Sequence, residues 1–280
     1  MAIAPEKPAR AAGRKAIRLS VTPSDLLSET PDLVNVWTAQ VITLLPQAFP
    51  GILGESLIGR ALQEGLWQLQ TYNLRDFGDG RHLNVDDTPA GGGAGMVIRP
   101  DVMARAIGVA RARISPRAPI IYLSPRGRRM DQALMRDLAA GDGVTLVCGR
   151  FEGLDQRAID AFGMIEVSLG DFVMTGGEIA AQALIDSTVR LIPRVLGNQA
   201  SIENESFSDG LLEHDQYTKP ATWQGRDIPE VLLSGHHAKI EAWRREQAER
   251  LTKERRADLW RAWCAAHNRD PNEDQELSDA

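Results

Sequence analysis

Short apolar runs alternate with stretches of helical periodicity along most of this chain. Five runs have the length and composition of strands, at residues 36–45, 66–74, 120–123, 144–148 and 165–169. Strands that alternate with helices are typical of βαβ units, which build a parallel sheet. The pattern therefore predicts an α/β domain, and periodicity alone indicates a plain doubly wound sheet.

Helical spacing of apolar residues fills the segments between these strands. Helices are predicted over residues 53–65, 99–113, 131–139 and 154–161, and from residue 176 or 177 to Pro193. Thr175 and Glu178 stand three residues apart before the last helix, which predicts a capping box at its start. Pro193 is expected to stop that helix because proline cannot continue the hydrogen-bond ladder.

Three of the predicted strands run directly into loops that are rich in glycine or charge. These loops have the sequences SPRG (124–127), GRFEG (149–153) and GDF (170–172), and Gly176 and Gly177 follow the third. Glycine lets the backbone take positive φ or approach a ligand closely. Ligands of parallel sheets gather at the carboxyl ends of the strands, so we expect these loops to line one pocket. A tight turn without a ligand remains the alternative for any single loop.

The distribution of charge changes the picture more than its total of −6. Residues 99–136 carry nine arginines against two aspartates, whereas the last eleven residues hold five acids and no base. Clustered arginine fits contacts with nucleic-acid phosphates, and solvated helix faces are the alternative. The net charge is therefore negative although residues 99–136 form a strongly basic region.

Several classes of protein are disfavoured by what the sequence lacks. No apolar run reaches the length of a membrane span, no signal-peptide pattern begins the chain, and the two cysteines lie far apart. We therefore expect a cytoplasmic protein without a disulfide framework and without a membrane partner. No dinucleotide fingerprint, Walker A sequence or zinc spacing is present, so no metal site is predicted.

Several motifs, in this order and at this spacing, resemble the bacterial tRNA (guanine-N1)-methyltransferase family TrmD, of the SPOUT class. They are GGGAGM, YLSPRGRRMDQ, CGRFEGLDQR, SLGDFVMTGGE, GLLEHDQYTKP and IPEVLLSGHHAKI, within residues 36–263. The resemblance implies an α/β fold with a SPOUT-type knotted parallel-sheet methyltransferase domain and a smaller helical C-terminal domain. It also implies a homodimer with its cofactor pocket at the interface, and tRNA as partner.

Composition and resemblance together divide the chain into five parts. We expect a flexible N-terminal extension (1–34), a cofactor-binding catalytic domain (35–195), a linker (196–209), a helical RNA-binding domain (210–267) and an acidic tail (268–280). The irregular stretch 75–95 is expected to form a wall of the active site.

The resemblance implies methyl transfer from S-adenosylmethionine to N1 of the guanosine immediately 3′ of the anticodon. The implied cofactor-binding residues are Tyr122, Leu123, Ser124, Pro125, Glu152, Leu169, Gly170, Phe172, Met174, Gly176 and Gly177. Phe172 stands where the family often has tyrosine, and Leu169 and Met174 also suit ordinary core packing.

Methylation of guanine N1 needs a carboxylate to take the N1 proton and a cation near O6. By the resemblance, the segments DSTVRLIP and ENESF assign these catalytic roles to Arg190 and Glu205. The family's usual aspartate is glutamate here, and Asp171 is the second candidate carboxylate.

Two other functions compete with this reading. A different SPOUT enzyme that methylates a ribose 2′-hydroxyl would not need the carboxylate of Glu205. A non-catalytic RNA-binding module would keep the fold without the cofactor, which the intact glycine loops disfavour.

Overall fold

The computed structural model describes residues 36–197 and 205–271 of the 280-residue chain. The predicted extension (1–34) lies outside the described residues, as do residues 198–204 of the predicted linker and residues 272–280 of the predicted tail.

The α/β part of the chain begins directly with a strand. Its strands are β1 (Trp37–Thr43), β2 (Trp67–Asn73), β3 (Asp86–Asp87), β4 (Val97–Ile98), β5 (Ile120–Arg129), β6 (Gly143–Cys148) and β7 (Ile165–Ser168). Its helices are α1 (Ser56–Gln63), α2 (Pro100–Arg111), α3 (Gln132–Ala139), α4 (Gln156–Phe162) and α5 (Glu178–Val189). This order confirms the predicted alternation of strands and helices.

Five of these strands form one parallel sheet in the order β2-β1-β6-β5-β7. The central strands β1 and β6 are buried along their whole length, as expected of a parallel sheet with both faces covered. Successive side chains face opposite sides, so Val41 packs with Leu184 of α5 whereas Ile42 packs with Ile107 of α2. The predicted α/β class with a parallel sheet is confirmed.

The C-terminal part is helical and has a small core of its own. A short hairpin, β8 (Thr222–Trp223) and β9 (Arg226–Asp227), precedes α6 (Glu230–Leu233), α7 (His237–Arg255) and α8 (Ala257–Ala266). Leu211 packs there with Trp260, Trp263 and Cys264, and the rings of Trp260 and Trp263 stack. Within residues 36–197 and 205–271, no helix is both long and apolar enough to cross a membrane.

Four local expectations need correction. Strand β5 continues through the expected SPRG loop to Arg129, with a register shift that lets it pair again with β7. Helix α5 ends at Val189 instead of reaching Pro193. The stretch 75–95 is partly ordered, because Asp79 bridges to Asn84 and β3 pairs with β4.

The fourth correction concerns the expected capping box. Gly177 is the N-cap of α5, and no side chain caps that helix. The carboxylate of Glu178 is buried instead, where it accepts a hydrogen bond from Thr43. A tertiary contact has therefore replaced the local one.

Candidate cofactor and catalytic sites

A cavity of about 340 Å³ lies where the irregular part of β5 (residues 122–126) and the carboxyl ends of β6 and β7 meet the start of α5. Ten of the eleven predicted cofactor residues line it: Tyr122, Leu123, Ser124, Pro125, Glu152, Leu169, Phe172, Met174, Gly176 and Gly177. Gly170 lies in the same loop, between Leu169 and Phe172, but does not line the cavity. Loops at the carboxyl ends of parallel strands thus enclose one space, as the strand pattern predicted.

Side-chain hydrogen bonds to the backbone shape two of these loops. The hydroxyl of Ser168 accepts a hydrogen bond from the N–H of Gly170 at 3.2 Å and donates to its carbonyl at 2.8 Å. The hydroxyl of Ser124 accepts from the N–H of Arg126 at 3.3 Å. Short polar residues at the end of β7 and within the irregular part of β5 therefore shape the backbone beside the cavity.

Close packing, rather than positive φ, explains the glycines of the third loop. Gly170, Gly176 and Gly177 all lie outside the positive-φ region, so of the two reasons expected for glycine the need for positive φ does not apply to them. A Cβ on Gly177 would stand 2.9 Å from Cα of Cys148, and its N–H donates to the carbonyl of Gly149 at 3.0 Å. Glycine is required there because two loop backbones touch.

The stretch GGGAGM adjoins the same cavity. The N–H of Glu152 donates to the carbonyl of Met96 at 2.9 Å, and a Cβ on Gly95 would overlap the side chain of Glu152. Gly91, Gly92 and Gly93 all have positive φ, so the stretch does need the backbone freedom of glycine. The stretch lies beside Glu152, as a wall of the cavity would.

Burial sets the protonation of two groups near the cavity. Burial raises the pKa of the Tyr122 hydroxyl, and it raises the pKa of the Cys148 thiol well above its ordinary value. Both groups are therefore neutral near pH 7. Cys148 is therefore a buried, unreactive thiol at the end of β6.

Eleven further residues line the cavity; five of them lie in the two loops (124–127 and 149–153) that the sequence predicted for one pocket, and the other six were not predicted. The eleven are Arg126, Gly149, Arg150, Phe151, Gly153, Leu154, Val167, Ser168, Val173, Thr175 and Ala180. Most of the other six are neighbours of predicted residues, and the loop spacing could have indicated them. Arg150 is the most informative, because its guanidinium pairs with the buried carboxylate of Glu178 at 3.1 Å.

The two predicted catalytic residues meet each other away from this cavity. Arg190 donates hydrogen bonds of 2.6 and 2.5 Å to the two carboxylate oxygens of Glu205. The hydrogen bonds from Arg190 hold the pKa of Glu205 below its ordinary value. Neither residue lines the cavity.

The length of α5 explains this separation. Gly177 precedes the first turn and Arg190 follows the last, and a helix of 12 residues is about 18 Å long. The alternative carboxylate, Asp171, is largely exposed, lies 3.6 Å from Arg129 and does not line the cavity. Within one chain, then, the structure brings the cofactor residues together and keeps both catalytic residues apart from them.

A parallel sheet with a ligand-sized cavity at one edge, joined to a helical unit, defines an α/β protein that binds a small molecule between its loops. Comparison with known proteins narrows this class. The chain belongs to the family described as tRNA (Guanine-1)-methyltransferase TrmD, whose model matches residues 37–262. The family predicted from the motifs is confirmed, and with it the S-adenosylmethionine-dependent class of methyltransferase.

Curated relatives are similar over most of their length. A tRNA (guanine-N(1)-)-methyltransferase of Cereibacter sphaeroides is 66% identical over 248 residues, which are 88% of this chain and all of the relative. The protein of the same name from Ruegeria pomeroyi is 68% identical over 234 residues, covering 84% of this chain and 96% of the relative. The protein of the same name from Nitrobacter winogradskyi is 58% identical over 226 residues, covering 81% of this chain and 94% of the relative.

Proposed function

We propose that this chain methylates N1 of the guanosine immediately 3′ of the anticodon in tRNA, with S-adenosylmethionine as methyl donor. Family membership and the relatives' names support the tRNA substrate and the guanine N1 position. The proposal includes the SPOUT trefoil knot, a homodimer and a cytoplasmic site of action, where tRNA is used.

The cavity fits the methyl donor in size and in chemistry. Its volume of about 340 Å³ lies in the range of small-molecule sites. Leu123, Leu169 and Met174 offer apolar contacts, while Arg150 and Glu152 offer opposite charges to the amino-acid end of the donor. S-adenosylmethionine supplies a methyl group activated by its positively charged sulfur. The residues of the cavity hold that donor and exclude water from it.

Arg190 and Glu205 together offer what the edge of guanine requires. The guanidinium donates hydrogen bonds, which suits O6, and the carboxylate accepts one, which suits the N1 proton. In this structure the two side chains hydrogen-bond to each other, and the hydrogen bonds from Arg190 lower the pKa of Glu205. A base that inserts between them takes Arg190 as its partner, which raises the proton affinity of Glu205. Glu205 then accepts the N1 proton while Arg190 stabilises the charge on O6.

The single observation that carries the dimeric part of this proposal is the distance between the cavity and that pair. Because about 18 Å of helix separates them, one subunit alone does not bring the base to the donor. A second subunit removes this difficulty if its Arg190 and Glu205 reach the first subunit's cavity. Catalysis then proceeds in trans, with the donor held by one chain and Glu205 supplied by the other.

Exposed apolar side chains occur at both places that such a dimer would join. Val173 and Ile179, at the mouth of the cavity and on the first turn of α5, are 83% and 65% exposed. Ile52 and Leu57 lie beside Arg190 and are 68% and 49% exposed. In a twofold dimer, the patch at the cavity of each subunit contacts the patch beside Arg190 of the other subunit. Both patches are then buried, and two active sites are completed.

The test is to find the methylated atom. A tRNA transcript is incubated with the full-length protein and S-adenosylmethionine, digested with nuclease, and analysed by mass spectrometry. We expect 1-methylguanosine at the position 3′ of the anticodon and no product when that guanosine is replaced by adenosine. A product that is only a 2′-O-methyl nucleoside would assign the chain to the other SPOUT chemistry. Binding of tRNA without any methyl transfer would indicate a non-catalytic RNA-binding module instead.

A further inference from the structure

A buried carboxylate lies behind the cavity and has no part in the mechanism above. Glu178, the first residue of α5, is 6% exposed. Its Oε1 accepts a hydrogen bond from the hydroxyl of Thr43 at 2.7 Å, and its Oε2 lies 3.1 Å from Nη2 of Arg150. The carboxylate thus joins the end of β1, the loop after β6 and the start of α5. A charge is rarely buried unless it is paired and hydrogen-bonded, and Glu178 meets both conditions.

The hydrogen bonds around Thr43 have a definite direction. Its hydroxyl accepts from the N–H of Leu45 at 2.9 Å, so its single proton is directed at Glu178. Nε of Arg150 also lies 3.4 Å from Oε1 of Glu178. Thr43 and Arg150, whose side chains contact the carboxylate of Glu178, both act as donors to it.

The position of Arg150 depends on this carboxylate. Arg150 lines the cavity, and its guanidinium turns back to Glu178 through Nε and Nη2. A Cβ on Gly176 would overlap both the guanidinium and the carboxylate, so the ion pair packs directly against the loop backbone. Glu178 and Gly176 therefore leave Arg150 little freedom to choose another orientation.

We propose that Glu178 is a positioning residue that fixes the Arg150 guanidinium at the cavity, where it meets an anionic oxygen of a bound reactant. This inference rests on the proposed function. Two oxygens have the required chemistry: the α-carboxylate of the methyl donor and O6 of guanine as charge develops there. The charge-complementary pair Arg150 and Glu152, in one loop of the cavity, suits the zwitterionic end of the donor.

The experiment compares Glu178→Gln, Arg150→Met and the double variant in the full-length protein. Calorimetry measures the affinity for S-adenosylhomocysteine and for 5′-methylthioadenosine, which lacks the amino-acid end, and kinetics measure kcat and KM for tRNA. If Arg150 meets the donor carboxylate, Glu178→Gln lowers the affinity for S-adenosylhomocysteine at least tenfold and leaves the affinity for 5′-methylthioadenosine within twofold of wild type. If Arg150 meets the base, both affinities stay unchanged while kcat/KM for tRNA falls at least tenfold. In either case the affected quantity, affinity or kcat/KM, falls no further in the double variant than in Arg150→Met alone.

Controls separate positioning from general stability. Asp142→Asn removes an ion pair with Arg117 at the other end of β6 and should leave affinity and kcat/KM unchanged. If Glu178→Gln does not fold, Thr43→Val removes one restraint and should lower the parameter that Arg150→Met lowers, by about two- to threefold.

Two results would overturn the inference. One is a folded Glu178→Gln, or a folded Thr43→Val in its place, with affinity and kcat/KM like wild type. The other is a double variant in which the free-energy losses of Glu178→Gln and Arg150→Met, in binding or in kcat/KM, are additive. Wild-type protein that neither binds S-adenosylhomocysteine nor methylates tRNA would instead refute the proposed function.

Discussion

The contact between Gly177 and the loop after β6 leads to a quantitative prediction about Gly177→Ala. The backbone at Gly177 has φ −84° and ψ −6°, which alanine adopts without strain. Its Cβ would nevertheless stand 2.9 Å from Cα of Cys148 and 3.1 Å from N of Gly149. Because both neighbours are backbone atoms, at the end of β6 and in the first residue of the loop after it, the contact is relieved only by moving that backbone. Overpacking of this kind costs about 1–3 kcal/mol.

A matched control is available in the same domain. Gly108 lies inside α2, is exposed, and has open space where a Cβ would be added. Gly108→Ala should therefore raise the free energy of unfolding by about 0.5–1 kcal/mol, because alanine is the better helix former. The two substitutions add the same methyl group and are expected to change stability in opposite directions.

Urea denaturation and calorimetry with S-adenosylhomocysteine measure the two consequences. For Gly177→Ala we expect a lower free energy of unfolding and weaker binding, because the displaced loop lines the cavity. For Gly108→Ala we expect unchanged binding. A Gly177→Ala protein with wild-type stability and wild-type affinity would show that the loop contact does not determine the shape of the cavity.

Three further predictions concern the catalytic pair and the cysteines. Arg190→Ala and Glu205→Gln should each lose methyl transfer while affinity for S-adenosylhomocysteine stays within twofold, and normal turnover of Glu205→Gln would require a different base. Because Arg190 lowers the pKa of Glu205, the pair's contribution to stability, about 1 kcal/mol, is complete above the ordinary pKa of 4.5 and is lost as pH falls through the lowered value. The difference in unfolding free energy between wild type and Glu205→Gln should therefore shrink between pH 7 and pH 3, and a constant difference would contradict it. Cys148 and Cys264 are buried with raised pKa values, so iodoacetamide at pH 8 should label neither until the chain unfolds, and rapid labelling of the native protein would show that they are accessible.

Local patterns predicted most of the fold and the place of a pocket, whereas the individual cofactor residues were implied by the resemblance to the family. Strands such as 144–148 are apolar throughout because both faces of a parallel sheet are covered, so their sequence alone indicates them. The loops at the carboxyl ends of parallel strands lie along one edge of the sheet, where ligands bind, and ten of the implied cofactor residues line one cavity there.

Tertiary contacts determined what local patterns could not. The spacing of Thr175 and Glu178 satisfies a capping box, yet Glu178 binds Thr43, which is 135 residues away in sequence. The separation of Arg190 from the cavity depends on the length of α5 and its place beside the sheet, and no motif contains that information. Glycine at 177 was expected to allow positive φ or close approach to a ligand, whereas it allows close contact with the backbone of Cys148 and Gly149, which are near it only in the folded chain.

Reconstitution of activity from two inactive chains shows whether Glu205 of one subunit serves the cavity of the other. One chain carries Glu205→Gln with an intact cavity, and the other carries Leu169→Trp, which fills the cavity and leaves Glu205 intact. The two are co-expressed with different tags and purified through both, so that only mixed dimers remain. If the donor cavity of one chain is completed by Glu205 of the other, each mixed dimer regains one of two sites and roughly half of wild-type methyl transfer. If purified mixed dimers bind S-adenosylhomocysteine but transfer no methyl group, Glu205 serves the cavity of its own chain and the account of catalysis in trans is wrong.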